Sequence, residues 1–401
     1  MNRNIEPSVK VVVAMSGGVD SSLAAFLLKE KGFEVIGITL KLWDYSEVGG
    51  DLYKDGRCCS LESMNDARNV CQKIGAPHYV LDFTDEFKQK VISNFVDEYK
   101  KGRTPNPCIL CNTEIKWKHL WDKAKELGAE YLATGHYARI KYSEENERFL
   151  LLKGVDSHKD QSYALWGLSQ ENLSKTLFLL GELTKKETRE LAKRYDLKTA
   201  LKEESQEICF VPDDDYERFL REWVVKNNHS QFRPGPIYNL KKEKLGVHKG
   251  IPFYTVGQRR GLKIAVGKPL YVVKIDPEEN AIYVGENEDL FKTTFIVSQV
   301  NWISIPPLER ELNCSVKIRY LHTPARASIS PFPEEVGRGQ DTGVHQLADV
   351  YEKSARASSC TPEKVKIVFE KPERAITPGQ SAVFYEGEEV IGGGIIDKVE
   401  G

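Results

Sequence analysis

Two groups of residues in this chain have the types and spacing for chemistry. The first is Ser16-Gly17-Gly18-Val19-Asp20-Ser21-Ser22. It follows the apolar run Val11-Val12-Val13-Ala14, which reads as a buried parallel strand. It precedes Leu23 to Leu28, which reads as a helix ending at Gly32. A strand, a glycine turn and a helix N-terminus make an anion site, because backbone N–H groups converge there and the helix dipole favours negative charge. Gly17 and Gly18 permit close backbone approach, and Ser16, Ser21 and Ser22 offer hydroxyl donors. Asp20 suits a Mg²⁺ held against pyrophosphate. The Lys that a Walker loop places before its last Ser/Thr is missing.

The second group is Pro105-Asn106-Pro107-Cys108-Ile109-Leu110-Cys111-Asn112, with Cys209 farther on in Glu207-Ile208-Cys209-Phe210. The two prolines hold the chain extended. Cys111 then falls at the mouth of a helix expected to start near Asn112, where a thiolate is favoured. Three readings stand side by side. Cys111 and Cys209 form a redox pair that handles sulfur, or Cys108, Cys111 and Cys209 ligate a metal or iron–sulfur cluster, or all three are inert buried thiols. The first reading joins the two groups. Adenylation of an amide-like carbonyl oxygen makes AMP a leaving group, a cysteine persulfide delivers sulfur, and a second cysteine resolves the disulfide that results.

The elements that must position these residues follow a regular alternation from residue 10 to about 200. Expected strands are Val35 to Leu40, His78 to Asp82 and Tyr131 to Thr134. Expected helices are Ala67 to Ile74, Phe87 to Tyr99, Ile115 to Leu127 and Thr184 to Tyr195, the last opened by a Thr184/Glu187 capping box. This pattern predicts a doubly wound parallel sheet, with ligands beyond the carboxyl ends of the strands. After about residue 206, glycines punctuate short β-like runs, and from about 285 runs such as Ser315 to Tyr320 and Val365 to Phe369 predict a β-barrel or sandwich. The expected domains are therefore 1–206 (α/β), 207–284 (small, β-rich) and 285–401 (β-barrel). The polar stretch at about 331–362 reads as a loop or insertion.

Composition narrows the class. A length of 401 residues allows two or three domains, and a net charge of −2 requires any nucleic-acid surface to be local. No apolar run approaches a membrane span. The first seven residues lack an apolar signal core, so a cytoplasmic protein is expected. Eight cysteines are too sparse for a secreted disulfide scaffold. Cys58, Cys59 and Cys71 fit no standard metal spacing, and Cys360 sits in the polar stretch.

The glycine loop resembles the PP-loop of ATP pyrophosphatases. Taken with Thr104-Pro105-Asn106-Pro107, Cys111-Asn112, Thr134 to Arg139, Lys159 to Tyr163, Ile208-Cys209-Phe210, Thr255 to Leu262, Arg319-Tyr320, Thr377 to Gln380 and Gly392 to Gly394, it makes nearly the whole chain similar to the tRNA-specific 2-thiouridylase family. The resemblance implies ATP-dependent thiolation of C2 of the wobble uridine in lysine, glutamate and glutamine tRNAs. It implies that Ala14, Met15, Ser16, Gly17, Gly18, Val19, Asp20 and Ser21 grip ATP with Mg²⁺, that Leu40 meets the adenine, and that Gly135 lines the nucleotide site. Cys209 would carry the persulfide and Cys111 would be its nucleophilic partner. Asn106, Pro107 and Cys108 would meet the target base, while Lys159, Asp160, Gln161, Arg319 and Tyr320 would contact tRNA. A persulfide carrier protein or cysteine desulfurase would supply sulfur to what is expected to be a monomer.

Each of these roles has a plainer rival. Leu40 reads as core on pattern alone, His136 as a structural histidine, Lys159 to Gln161 as a solvated turn, Gly257 to Gly261 as a basic hairpin and Arg319-Tyr320 as a strand pair. The chain also departs from the family at Cys108, where many members carry an acidic residue. That removes a general base and keeps a cluster of Cys108, Cys111 and Cys209 as the alternative. An amidating PP-loop enzyme of the GMP synthetase type would share the glycine loop but have no use for Cys111 and Cys209. A tRNA-binding module that holds ATP only structurally would release no pyrophosphate.

Overall fold

The elements were located in a computed structural model, which describes residue 6 and residues 8–44, 60–202, 208–211, 213–227, 232–332 and 364–400. Its first layer is a five-stranded parallel sheet in the order β3-β2-β1-β4-β7. These strands are β1 (Lys10–Ala14), β2 (Glu34–Lys41), β3 (His78–Asp82), β4 (Tyr131–Thr134) and β7 (Thr176–Phe178). Val11, Val12 and Val13 are wholly buried, as a central parallel strand covered on both faces requires. Helix α1 (Val19–Glu30) follows β1, and α2 (Leu61–Lys73) follows β2. The chain leaves β1 towards β2 on one side and returns to β4 on the other. The loops after β1 and β4 therefore open at the switch point where such sheets bind ligands.

Two helices are longer than their periodicity suggests. α3 runs without a break through residues 84–100, and α4 through residues 107–126, both with a wider turn in mid-course. α5 (Lys185–Arg194) carries the expected capping box, Thr184 and Glu187 bonding each other's backbone N–H. The strand pair β5 (Ala138–Ser143) and β6 (Arg148–Lys153) was not expected in the α/β region. It leaves the parallel sheet, because β6 pairs with the last strand of the C-terminal barrel at Glu389 and Val390.

The middle of the chain is α6 (Tyr216–Lys226) and a four-stranded sheet ordered β10-β11-β8-β9. Its strands are β8 (Gly235–Asn239), β9 (Lys244–His248), β10 (Tyr271–Asp276) and β11 (Ala281–Gly285). The C-terminal strands are β12 (Phe291–Trp302), β13 (Leu312–Lys317), β14 (Ala325–Pro331), β15 (Lys364–Arg374), β16 (Ser381–Glu386) and β17 (Glu389–Glu400). They run in the order β12-β15-β14-β13-β16-β17 and close through a β12–β17 ladder into a six-stranded barrel. The polar stretch, from residue 333 on, lies outside the described residues, as do Cys58, Cys59 and Cys360.

One hydrophobic core joins the three parts. It takes in Phe87 and Phe95 of α3, Phe210, Phe219 and Trp223 around α6, Val272 and Val284 of the middle sheet, and Tyr385 and Val390 of the barrel. Phe95, Phe210 and Phe219 meet edge-on or tilted, with centroids 5.2 to 6.2 Å apart.

Candidate active site

The glycine loop leaves β1 with Gly17 at φ +71°, a conformation that costs glycine least. A Cβ there would lie 2.1 Å from the carbonyl oxygen of Ser63, so the loop rests directly on α2. The loop also holds itself. Ser16 N–H donates to Ser21 Oγ (3.1 Å), and Ser22 Oγ donates to the Gly18 carbonyl (2.8 Å). The buried hydroxyls of Ser21 and Ser22 thus also make hydrogen bonds within the turn. Gly18 caps α1 with no side-chain bond, and the first intrahelical bond runs from Ser22 N–H to Gly18. The N–H groups of Val19, Asp20 and Ser21 precede it, which leaves an uncapped positive helix end.

Gly135, just beyond β4, packs against this end. A Cβ on it would sit 2.7 Å from Ser21 N and 2.8 Å from the Asp20 carbonyl carbon. The structure therefore joins Gly135 to the loop across 114 residues of sequence, since β4 is the neighbour of β1. Leu40 stands one residue before the end of β2 as part of the hydrophobic core, and Met15 is buried beside Gly37 of β2.

Asp20 has a specific setting that the sequence did not show. Lys185 Nζ donates to both of its carboxylate oxygens (2.7 and 2.8 Å), and Tyr137 Oη donates to Oδ1 (2.8 Å). Lys185 heads α5, lies 165 residues away and is nearly buried. A magnesium held by Asp20 would have to displace this ammonium, so the carboxylate as arranged does not fit a cation ligand. His136, beside Gly135, donates or accepts at Nδ1 with Thr134 Oγ1 (2.7 Å) against the rings of Trp117 and Phe178. Desolvation, aided by the Lys116 ammonium, holds its pKa well below the usual 6.5, so it is neutral at pH 7.

The cysteine segment starts its helix earlier than expected. Asn106 caps α4, its Oδ1 accepting from Cys108 N–H (3.1 Å), and Pro107 takes the first helical position. Cys111 thus stands in the second turn, past the reach of the strongest dipole effect, and the exposed Cys108 stands in the first. Cys111 and Cys209 are both partly buried and rest on the same core. Among the described residues, no three His, Cys, Asp or Glu side chains converge as a metal site requires, Cys108, Cys111 and Cys209 included. Cys71 is a core residue against Gly37, its pKa pushed up to about 11 by burial.

Three parts of the molecule hold the segment before α4. Thr104 N–H donates to the Pro378 carbonyl (2.8 Å), and Gln380 Nε2 donates to the Thr104 carbonyl (2.9 Å). Thr104 Oγ1 donates to Thr255 Oγ1 of the middle module (3.2 Å), and Arg103 reaches Glu98 and Asp397. The runs Thr255 to Leu262 and Thr377 to Gln380 thereby gain a positioning role.

Lys159 to Gln161 is not a free solvated turn. Asp160 is buried and accepts from Gly154 N–H, Ser162 N–H and Ser162 Oγ, while Gln161 exchanges two bonds with the Tyr137 backbone. Arg319 and Tyr320 lie in a turn beyond β13, not in a strand. The two patches meet: the rings of Tyr163 and Tyr320 are 6.2 Å apart, and Lys317 Nζ lies over both at 5.6 and 5.4 Å.

Fold and site together define a nucleotide-binding α/β domain followed by two β-modules. Models of known families match in that order: a tRNA methyl transferase HUP domain over residues 9–213, a tRNA methyl transferase PRC-barrel domain over 224–286 and an aminomethyltransferase beta-barrel domain over 348–396. The chain is 46% identical to tRNA-specific 2-thiouridylase MnmA 1 of Caldanaerobacter subterraneus subsp. tengcongensis, over 98% of its own length and 99% of that protein. It is 47% identical to MnmA of Salinibacter ruber (98% and 95% covered) and 46% identical to MnmA of Clostridioides difficile (97% and 98% covered). The chain belongs to the tRNA-specific 2-thiouridylase family.

Proposed function

We propose that this chain uses ATP to replace the C2 oxygen of the wobble uridine with sulfur in tRNAs of the lysine, glutamate and glutamine type. The observation that carries this reading is identity of 46% or more to 2-thiouridylases along essentially the whole chain. ATP phosphates lie at the uncapped end of α1, and Leu40 and Gly135 flank the nucleoside. Any Mg²⁺ arrives with the nucleotide. Asn106, Pro107 and Cys108 meet the flipped base. Lys159, Gln161, Arg319 and Tyr320 meet the RNA, with Asp160 shaping that turn from within. The domains divide at 206/207 and 284/285.

The C2 oxygen attacks the α-phosphorus and pyrophosphate leaves, while N3 gives up its proton. The terminal sulfur of a Cys209 persulfide then attacks C2, and AMP departs with the former C2 oxygen. Cys111 thiolate attacks Cys209 Sγ and breaks the S–S bond. Its electron pair passes to the sulfur now on C2, and N3 regains a proton. The Cys111–Cys209 disulfide is reduced by a dithiol, and a persulfide carrier or cysteine desulfurase recharges Cys209. The protein works as a monomer in the cytoplasm.

The test is nucleoside mass spectrometry of unmodified glutamate tRNA incubated with the protein, Mg-ATP, a persulfide donor and dithiothreitol, without iron. The expected product is 2-thiouridine, lost in Cys111→Ser and Cys209→Ser while pyrophosphate release persists. Full 2-thiouridine formation in both variants would mean sulfur transfer without this thiol relay, and pyrophosphate release with no 2-thiouridine even in the wild type would point to another use of the activated carbonyl, such as amidation.

A further inference from the structure

α5 holds two parts of the molecule at once. Lys185 and Arg189 are four residues apart and share one helix face with Thr188. Lys185 grips Asp20 of the glycine loop, and Thr188 Oγ1 donates to Tyr137 Oη (3.0 Å), the hydroxyl whose own proton goes to Asp20. One turn on, Arg189 donates from Nη1 to the Ala200 carbonyl (2.8 Å) and from Nη2 to the Lys202 carbonyl (3.1 Å). A guanidinium fork that bonds two carbonyls fixes a backbone more firmly than a single contact does.

Lys202 closes the circuit. Its Nζ donates to Asp66 Oδ2 (2.7 Å) and Ser63 Oγ (3.1 Å) on α2, and both partners of the ion pair are mostly buried. Ser63 is the residue on which Gly17 rests. The contacts therefore run in a ring from the glycine loop through α5 to Ala200 and Lys202, then to α2 and back to the loop. Cys209 stands seven residues beyond Lys202 in the sequence. A chain of that length spans at most about 25 Å when fully extended. On its far side, Phe210 is wholly buried among Phe87, Phe95 and Phe219.

We propose that Arg189 and Lys202 are positioning residues that fix the backbone at residues 200–202, seven positions before Cys209, to α2 beneath the nucleotide loop. Sulfur then reaches C2 before water does. This inference rests on Cys209 being the sulfur carrier. Neither residue touches the reacting atoms, so loss of either spares adenylation and impairs capture of the adenylated base. Water then attacks C2 in place of sulfur and releases AMP and unmodified uridine.

The experiment measures AMP and 2-thiouridine in the same reaction for the full-length wild type, Arg189→Ala, Arg189→Lys, Lys202→Met and Cys209→Ser. Thermal melting of each variant is the control for folding. The expected result is a fivefold or greater rise in AMP per 2-thiouridine for Arg189→Ala and Lys202→Met, with AMP formation within twofold of wild type. Arg189→Lys, which keeps one donor group, should recover part of the coupling. An unchanged ratio, or a parallel loss of both products in folded protein, overturns the proposal. If Arg189→Ala does not fold, Arg189→Lys and Lys202→Met decide in the same way. Thiolation at the wild-type rate by Cys209→Ser would instead defeat the relay on which the inference rests. AMP without 2-thiouridine in that variant, beside normal coupling in Arg189→Ala, would defeat the inference alone.

Discussion

Individual residues in this site differ most in what surrounds their polar atoms. The cysteines show it. Burial pushes the Cys71 thiol up to about 11 and the Cys314 thiol up to about 12, whereas Cys108 is exposed on the first turn of α4. A thiol reacts through its thiolate and needs access. Iodoacetamide treatment of the native protein at pH 8, followed by peptide mass spectrometry, should therefore modify Cys108 and leave Cys71 and Cys314 unlabelled. Early labelling of either buried residue would contradict this picture of the core. Asp20 shows the same dependence on surroundings. By residue type it suits a cation, but Lys185 and Tyr137 occupy its oxygens and make it the joint between the glycine loop and α5.

At the scale of elements, caps decide where the working residues fall. Asn106 and Pro107 start α4 five residues before the expected point and move Cys111 from the mouth of the helix into its second turn. The capping box at Thr184 and Glu187 does similar work for α5, which carries Lys185, Thr188 and Arg189. Removing the cap with Thr184→Ala should cost about 1 kcal/mol locally. Amide exchange in the first turn of α5 should then quicken by about fivefold, read by hydrogen–deuterium mass spectrometry. Exchange at the wild-type rate would mean that tertiary contacts, not the cap, hold this helix end.

In the whole molecule, the segment before α4 is held by a residue 276 positions away. Gln380 Nε2 bonds the Thr104 carbonyl, and a Cβ on Gly379 would meet Thr104 N at 2.8 Å. Gln380→Ala should lower thiolation about tenfold through loss of a positioning bond, by analogy with small misplacements at other sites. Pyrophosphate release in the presence of tRNA and thermal melting should change little. An effect on melting equal to that on thiolation would make the contact merely structural. The whole molecule also has a pH response. His78, His136, His248 and His322 all have pKa values lowered from 6.5, with desolvation as the first cause in each. Below pH 6.5 the unfolded chain therefore binds more protons than the folded one, and stability falls as pH drops. Asp82, Asp156, Asp213 and Asp276, held low by hydrogen bonds or ion pairs, add to the loss at lower pH. Melting midpoints at pH 7.5, 6.5 and 5.5 should decline through the series, and a rise between 6.5 and 5.5 would contradict the assignment.

The sequence by itself determined what depends on neighbours along the chain. The glycine turn between Val13 and Leu23, the strand His78 to Asp82 and the Thr184 capping box need only local backbone preferences and apolar periodicity, and all three stand where the residues placed them. The motifs that carry the family resemblance were legible for the same reason. Tertiary structure decided which of these residues meet. Strand order places Gly135 on Asp20 and Ser21, because β4 happens to be the neighbour of β1. Sheet closure sends β5 and β6 out of the α/β layer to the barrel. Packing pairs Asp20 with Lys185 and brings the Tyr163 and Tyr320 turns together. No local rule encodes such contacts. They arise when separate apolar faces are buried against one another, and polar groups caught at those seams must then find partners at whatever sequence distance the fold supplies.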